Sequence, residues 1–214
     1  IRRQRQMCIR DSYNIVKWGV KLAGNNIASL ILTSIPVYFL TWFSISEGFL
    51  NVGYYSRANS LLIIGTVIAS SVGPLLYSKW SLVKGKELKL QVRRVSLLLA
   101  FVNTLLAIGL IIFAPIFIRI LYGTEYQTAA PVLRLLALTM IANGAKEVSY
   151  GILSSQGSPL SIMKNLVIGI ILSAILNYFI IPQFGVIGCS VVTVLVTFTT
   201  VSYTHLTLPT NSLV

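Results

Sequence analysis

The chain has 214 residues, of which 55% are hydrophobic and only 10% are charged, and its formal net charge is +12. Soluble globular domains carry about 25% charged residues. A soluble fold could not hide this much apolar surface from water, so the composition excludes ordinary soluble domains and predicts a membrane protein. The cations lie mostly in short segments between apolar runs, which argues against a nucleic-acid partner.

The two ends differ in character from the rest of the chain. Residues 1–12 are basic and polar, and residues 201–214 are rich in hydroxyl side chains. Both resemble translated adaptor sequence, so we interpret them as non-native and residues 13–200 as the native unit. The alternative is a genuine basic arm and a genuine polar tail. On the first interpretation Cys8 has no function, and the sequence predicts no disulfide, metal site or cofactor.

Six segments of the chain have the length and the apolar character of membrane spans. A spanning helix needs about 20 mostly apolar residues, because the hydrocarbon core is about 30 Å thick. The sequence therefore predicts an all-α, polytopic transmembrane bundle of about six spans. In chain order these spans are about 24–46, 57–78, 95–118, 129–155, 164–182 and 186–204.

The basic segment 79–94 sets the predicted orientation. It carries six cations and one acid between the second and third spans. Loops rich in Lys and Arg stay on the cytoplasmic side, so we predict that this loop is cytoplasmic. Alternation of the spans then places segments 17–23 and 156–164 inside as well. The predicted outer loops are 46–56, 119–128 and 182–185.

Three ordered motifs carry a resemblance to a known family. They are Val52-Gly-Tyr-Tyr-Ser-Arg-Ala58, Leu121-Tyr-Gly-Thr-Glu-Tyr126 leading into Ala129-Ala-Pro-Val-Leu-Arg134, and Asn177-Tyr-Phe-Ile-Ile-Pro-Gln-Phe-Gly-Val-Ile-Gly188. Together they resemble the polysaccharide-biosynthesis flippases of the MOP (multidrug/oligosaccharidyl-lipid/polysaccharide) superfamily. The chain looks closest to the O-antigen and exopolysaccharide repeat-unit transporters, and the resemblance covers nearly all of residues 13–200.

The resemblance implies a fold, a cargo and a place in the cell. The family fold has two six-helix lobes around a central cavity that alternates access between the leaflets. This chain would be the second lobe, and the N-terminal lobe would be missing. The implied cargo is an undecaprenyl-diphosphate-linked oligosaccharide for cell-surface polysaccharide, including lipopolysaccharide. The implied location is the bacterial inner membrane, with membrane lipid as a further partner.

Charged residues in or near the spans are the candidate cargo and ion ligands. Arg57 begins the second span, and its planar guanidinium suits phosphate oxygens. The alternative is an arginine that extends to the outer headgroups. Lys146 and Glu147 lie deep in the fourth span, where charges are costly and usually face a cavity or a partner. Lys146 would meet diphosphate or sugar, and Glu147 would couple transport to an ion; the alternative is a structural pair near the inner interface.

The remaining polar and aromatic candidates have more ordinary interpretations. Arg134 is expected to anchor at headgroups or to pair with Glu125 rather than to bind cargo. Four aromatic residues are candidates for stacking on sugars, but aromatic residues of membrane helices more often serve packing or the interface. They are Tyr38, Trp42, Phe43 and Tyr178.

Two other functions compete with the flippase. A multidrug exporter of the same superfamily needs acids for cationic drugs, and Glu147 is the one acid within a span. A membrane polymerase or ligase needs sizeable outer loops with acid–base groups, and the predicted outer loops are about ten residues or shorter. We therefore expect a transporter and not an enzyme. A purely structural scaffold is the third alternative.

We predict that a cysteine placed at Gly85 is protected from a membrane-impermeant thiol reagent in intact cells, because segment 79–94 is cytoplasmic. A cysteine at Glu125, in a predicted outer loop, is the matched control and should be labelled. Labelling of the Gly85 cysteine in intact cells would overturn the predicted orientation.

Overall fold

The computed structural model describes residues 2–44, 49–71, 86–155 and 159–207. These residues contain no strand, which confirms the predicted all-α class for the described part of the chain. A 3-10 turn at Thr124–Tyr126 joins two of the helices. The five helices are α1 (Arg2–Phe43), α2 (Leu50–Ser70), α3 (Lys86–Tyr122), α4 (Ala129–Ser155) and α5 (Pro159–Thr207).

Helix α5 is broken at Gly185. The backbone there has φ 54° and ψ −137°, which are not helical angles. A positive φ costs glycine little, because glycine has no Cβ to clash with the following carbonyl. Pro182, three residues earlier, also lacks the N–H that would continue the helix. The chain can therefore reverse direction at this point.

The two arms of α5, residues 159–184 and 186–207, run antiparallel. Asn165 Nδ2 donates a hydrogen bond of 2.9 Å to the carbonyl oxygen of Thr200, 35 residues later. In a straight helix these residues would lie about 50 Å apart, so the hydrogen bond requires a hairpin. The first and second arms thus occupy the positions of the predicted spans 164–182 and 186–204.

Helix α4 occupies the middle of the bundle. It packs against α2, α3 and α5, whereas α1 packs mainly against α5. Four large side chains of α4 are completely buried: Val132, Leu133, Leu136 and Met140. They belong to one apolar core to which all five helices contribute. Because α4 contacts most of the other helices, several of its polar residues, including Thr139 and Asn143, face the interior of the bundle.

The outer surface of the bundle carries many large apolar side chains. Large hydrophobic side chains point outward on several helices, and Leu30, Phe101 and Ile120 are 67%, 69% and 74% exposed. A soluble protein rarely exposes a contiguous apolar surface of this kind. Three stretches are long and apolar enough to cross a membrane: Gly19–Phe43, Leu90–Tyr122 and Leu160–Thr204. The bundle is therefore membrane-embedded.

The six predicted spans agree with helices, but their number stays a prediction. The span 129–155 coincides with α4, and spans 24–46 and 95–118 fall largely on α1 and α3. Span 57–78 agrees with α2 as far as Ser70, and residues 72–78 lie outside the described residues. Helix α1 also includes most of residues 1–12, whose interpretation as foreign sequence stays a prediction, as does that of 201–214.

The prediction of a loop over residues 79–94 is wrong from Lys86 onward. Residues 86–94 form the first turns of α3, and 79–85 lie outside the described residues. The physical reason is amphipathic spacing: Leu88 is buried in a small core with Leu99 and Val148, while Arg93 and Arg94 are exposed. Part of the positive charge that predicts a cytoplasmic location for segment 79–94 therefore lies on a helix.

Arg134 compensates for the proline in α3. Pro115 has no N–H, so the carbonyl of Ile111 loses the helical donor that any other residue at 115 would provide. The Nε of Arg134 in α4 donates to this carbonyl oxygen at 3.1 Å. Arg134 therefore joins α4 to α3 beside Pro115, and its Nε bonds this carbonyl instead of the predicted partner Glu125.

We predict that Arg134→Ala lowers the free energy of unfolding by about 1–3 kcal/mol, because it leaves the Ile111 carbonyl without a donor in an apolar setting. The measurement is thermal or denaturant unfolding in detergent micelles. Arg119→Ala, which removes an exposed arginine of α3, is the control and should change stability much less.

A double-mutant cycle separates this mechanism from a loss of packing. In Pro115→Ala the restored N–H can donate to the Ile111 carbonyl, so Arg134→Ala should cost clearly less in that background. An equal cost in both backgrounds would contradict the compensation.

Candidate functional site

A polar cavity of about 220 Å³ lies between α1, α2, α4 and both arms of α5. We call it the central cavity. Eleven of its sixteen lining residues carry a hydroxyl, amide or ammonium group, set among apolar side chains such as Leu62 and Val196. The polar residues of its lining are Thr33, Tyr55, Asn59, Thr66, Thr139, Asn143, Lys146, Ser173, Thr193, Thr197 and Thr200.

The hydroxyls on the second arm of α5 form one ordered row. Thr193, Thr197 and Thr200 are spaced four and three residues apart, so they share a helix face. Each donates its proton to a backbone carbonyl of the preceding turn, at 2.9, 2.7 and 2.9 Å respectively. This local bonding satisfies the hydroxyl hydrogens inside the helix. The oxygen lone pairs are left as acceptors at the cavity wall.

Tyr55 closes one side of the central cavity from α2. Its ring is almost fully buried, and its hydroxyl lies 3.1 Å from the hydroxyl oxygen of Thr193. The single proton of Thr193 is already donated to the carbonyl of Cys189. Tyr55 is therefore the donor in this pair, which fixes α2 against the second arm of α5.

Lys146 places a positive charge between the central cavity and a second one. It is the one charged side chain among the described residues of the central lining. Its Nζ lies 5.4 Å from the centroid of the Tyr150 ring, as expected for residues one turn apart on a helix. A cation over a ring face is attracted by the ring quadrupole, so Tyr150 holds the ammonium in place.

The second cavity, of about 390 Å³, continues along α4 from Lys146. Glu147 and Tyr150 line it from α4, and Asn25 and Asn26 line it from α1. The structure thus brings two predicted site residues, Lys146 and Glu147, to one polar space. The second cavity adjoins the end of α1 that is predicted to be cytoplasmic.

Arg57 lies apart from both cavities. It is exposed, and its Cζ is 5.4 Å from the centroid of the Tyr122 ring at the end of α3. Arg57 follows Tyr55 by two residues, which turns it about 200° around the helix axis. The structure therefore separates Arg57 from Lys146 and Glu147, and a role for Arg57 inside the polar cavity stays a prediction.

Most of the neutral polar lining is not among the predicted site residues, which omit Tyr55, Asn59, Asn143 and the row of threonines on α5. The sequence does carry a signal for that row, because Thr193, Thr197 and Thr200 recur at helical spacing in a largely apolar run. The predicted sugar-stacking residues Tyr38 and Trp42 are 72% and 74% exposed, on the outside of the bundle.

Comparison with known proteins gives a consistent assignment. The sequence matches the family described as polysaccharide biosynthesis protein over residues 2–131. An uncharacterized membrane protein of Methanocaldococcus jannaschii is 29% identical over 185 residues, which are 85% of this chain and 36% of that relative. A Haloferax volcanii protein named "Probable low-salt glycan biosynthesis flippase Agl15" is 26% identical over 174 residues, 77% of this chain and 37% of that relative.

The chain spans just over a third of the length of these relatives. No solved structure gives a significant match. The family match covers more than half of the chain and confirms the resemblance to polysaccharide-biosynthesis flippases. The chain, a membrane-embedded helical bundle around a polar cavity, belongs to the polysaccharide biosynthesis protein family.

Proposed function

We propose that this chain is one lobe of a flippase that moves a polyprenyl-diphosphate-linked oligosaccharide across the membrane by alternating access. The observation that supports it best is the central cavity, a polar space with one cation inside an apolar bundle. Family membership supplies the biological context. In this proposal the lipid is undecaprenol, the product is O-antigen or exopolysaccharide, and the membrane is the bacterial inner membrane.

The lining of the central cavity suits a carbohydrate. Sugar hydroxyls both donate and accept hydrogen bonds, and burying them without partners costs free energy. Threonine oxygens such as that of Thr197 offer acceptors, whereas the amides of Asn59 and Asn143 offer donors and acceptors. These groups replace many of the hydrogen bonds to water that the sugar loses when it crosses the membrane.

Lys146 suits the charged part of the cargo. A diphosphate cannot enter hydrocarbon without a compensating charge, because an unpaired ion is poorly solvated there. The ammonium of Lys146 can meet a phosphate oxygen at the junction of the two cavities. Glu147 is placed on the second cavity, where binding of a proton or sodium ion would neutralise it and favour one conformation.

The size of the central cavity supports a second lobe. Its volume of about 220 Å³ is below the roughly 300–1,000 Å³ of typical small-molecule sites. An oligosaccharide therefore needs further wall, which an N-terminal lobe would supply. In this proposal the chain acts in transport and forms no covalent bond with its cargo.

We predict that Lys146→Ala in a full-length protein containing this chain lowers the rate of oligosaccharide flipping by about tenfold or more, as expected for loss of one charge-assisted hydrogen bond. The measurement is movement of a fluorescent polyprenyl-diphosphate oligosaccharide across proteoliposome bilayers. Lys164→Ala, which removes an exposed lysine of α5, is the matched control and should flip normally.

Two outcomes would overturn the proposed function. One is a normal rate in Lys146→Ala at equal protein abundance. The other is export of cationic dyes without movement of the oligosaccharide, which would favour the multidrug exporter.

Glu147→Gln should remove stimulation by a proton or sodium gradient while leaving movement down the cargo gradient intact.

A further inference from the structure

An apolar groove of about 360 Å³ lies between α2 and α3, outside the polar cavities. We call it the α2–α3 groove. Its floor includes Leu61, which is almost fully buried, and Gly65. Its rims include Ile64, Phe113 and Phe117, which are substantially exposed.

The groove runs along α3 over most of the thickness of a membrane, while its α2 wall spans residues 61–65. Its α3 side is formed in part by residues 105, 109, 113, 117 and 121, each about one helical turn after the last. From Leu105 to Leu121 the axial distance is about 24 Å, against a hydrocarbon core of about 30 Å. The shape therefore suits an extended chain lying along the bundle.

Glycine opens the middle of the groove. A Cβ built on Gly109 would meet no atom within 4 Å, so a side chain there would occupy the groove and not press on the protein. On one rim, the rings of Phe113 and Phe117 pack edge to face at 6.3 Å between centroids. The groove is thus an open space with an aromatic wall.

A positive charge stands at one end of the groove. Arg57 precedes Leu61 by one helical turn on the same face of α2. Its guanidinium lies over the ring of Tyr122, the residue next to Leu121 at the end of the groove on α3. A molecule with an apolar chain in the groove would therefore present an anionic head to Arg57.

We infer that the α2–α3 groove binds the polyprenyl chain of the cargo, with the phosphate nearest that chain on Arg57. This inference rests on the proposed function and assigns Arg57 to the lipid end of the cargo. Arginine forms two-point contacts with phosphate oxygens, and its stacking on Tyr122 leaves the edge of the guanidinium available. In the predicted orientation this end faces the outer leaflet, so the groove holds cargo that has crossed.

The groove favours a polyprenyl carrier over a phospholipid. It is a single channel between two helices, which matches one chain and one anionic head, whereas a phospholipid brings two chains. Helix α2 also separates the groove from the central cavity, because Tyr55 and Asn59 line the cavity while Leu61 lines the groove. Arg57 lies one turn before Leu61 on the groove side of α2. Tail and sugar would thus be held on opposite sides of one helix.

The test is photocrosslinking of the full-length protein in proteoliposomes that contain polyprenyl diphosphate and phosphatidylglycerol. The photoreactive residue p-benzoylphenylalanine replaces Phe117 in the groove or, as control, Phe198 on the lipid-facing side of α5. Mass spectrometry identifies the adduct. We expect polyprenyl diphosphate to dominate at position 117 and phosphatidylglycerol at position 198.

Variants assign the adduct to the groove. Gly109→Leu fills the groove, and Arg57→Ala removes the charge; each should lower the polyprenyl adduct at position 117 by about tenfold, while Arg57→Lys retains part of it. Gly19→Leu is the matched control, because a Cβ there also meets no atom within 4 Å and Gly19 lies on another helix. It should leave the adduct unchanged.

Three results would overturn the inference: equal lipid adducts at positions 117 and 198, phosphatidylglycerol as the main adduct at 117, or crosslinking of 117 to a peptide of the other lobe. The last would mean that protein covers the groove. Loss of the groove site with normal dependence of flipping on Lys146 would leave the proposed function intact. A retained groove adduct without any flipping would instead leave the groove site intact and contradict the proposed function.

Discussion

A helix bundle in hydrocarbon must satisfy its own polar groups, because lipid offers them no hydrogen bonds. This constraint explains the two kinds of polar contact in the structure. Arg134 reaches across to the Ile111 carbonyl that Pro115 leaves without its helical donor. On the second arm of α5, each threonine hydroxyl of the cavity row donates to its own helix. Arg134 is therefore satisfied by a neighbouring helix, whereas the cavity threonines are satisfied within their own helix.

The same constraint gives helix α2 two different faces. Tyr55 and Asn59 face the central cavity, which is polar, whereas Leu61 and Ile64 face the α2–α3 groove, which is apolar. Arg57 lies at one end of the apolar face, against Tyr122. A cargo that joins an oligosaccharide to a hydrocarbon chain through a diphosphate has the same three chemical parts. The proposed function and the proposed groove are consistent with each other for this reason.

The sequence predicted the elements that depend on hydropathy and missed those that depend on packing. Apolar runs locate the helices, and the short gap over 182–185 between two of them predicts the hairpin of α5. The charges at the start of α3 predict a loop, because they obscure the spacing of Leu88 with Leu99. Lys146 and Glu147 stand out in the sequence because charge is costly in a span, but neutral residues such as Thr197 carry no such signal. What Arg57 contacts depends on how α2 packs against α3 and α4, which the sequence does not give.

The central claim is that the polar cavity is a hydrated path for cargo inside an apolar bundle. The most direct measurement compares cysteines at Thr197, on the cavity wall, and at Phe198, on the exposed side, in a full-length protein without other cysteines. A small hydrophilic thiol reagent should modify the cysteine at 197, lipid-linked oligosaccharide should protect it, and the cysteine at 198 should stay unmodified. An unreactive 197 with a reactive 198 would contradict the account.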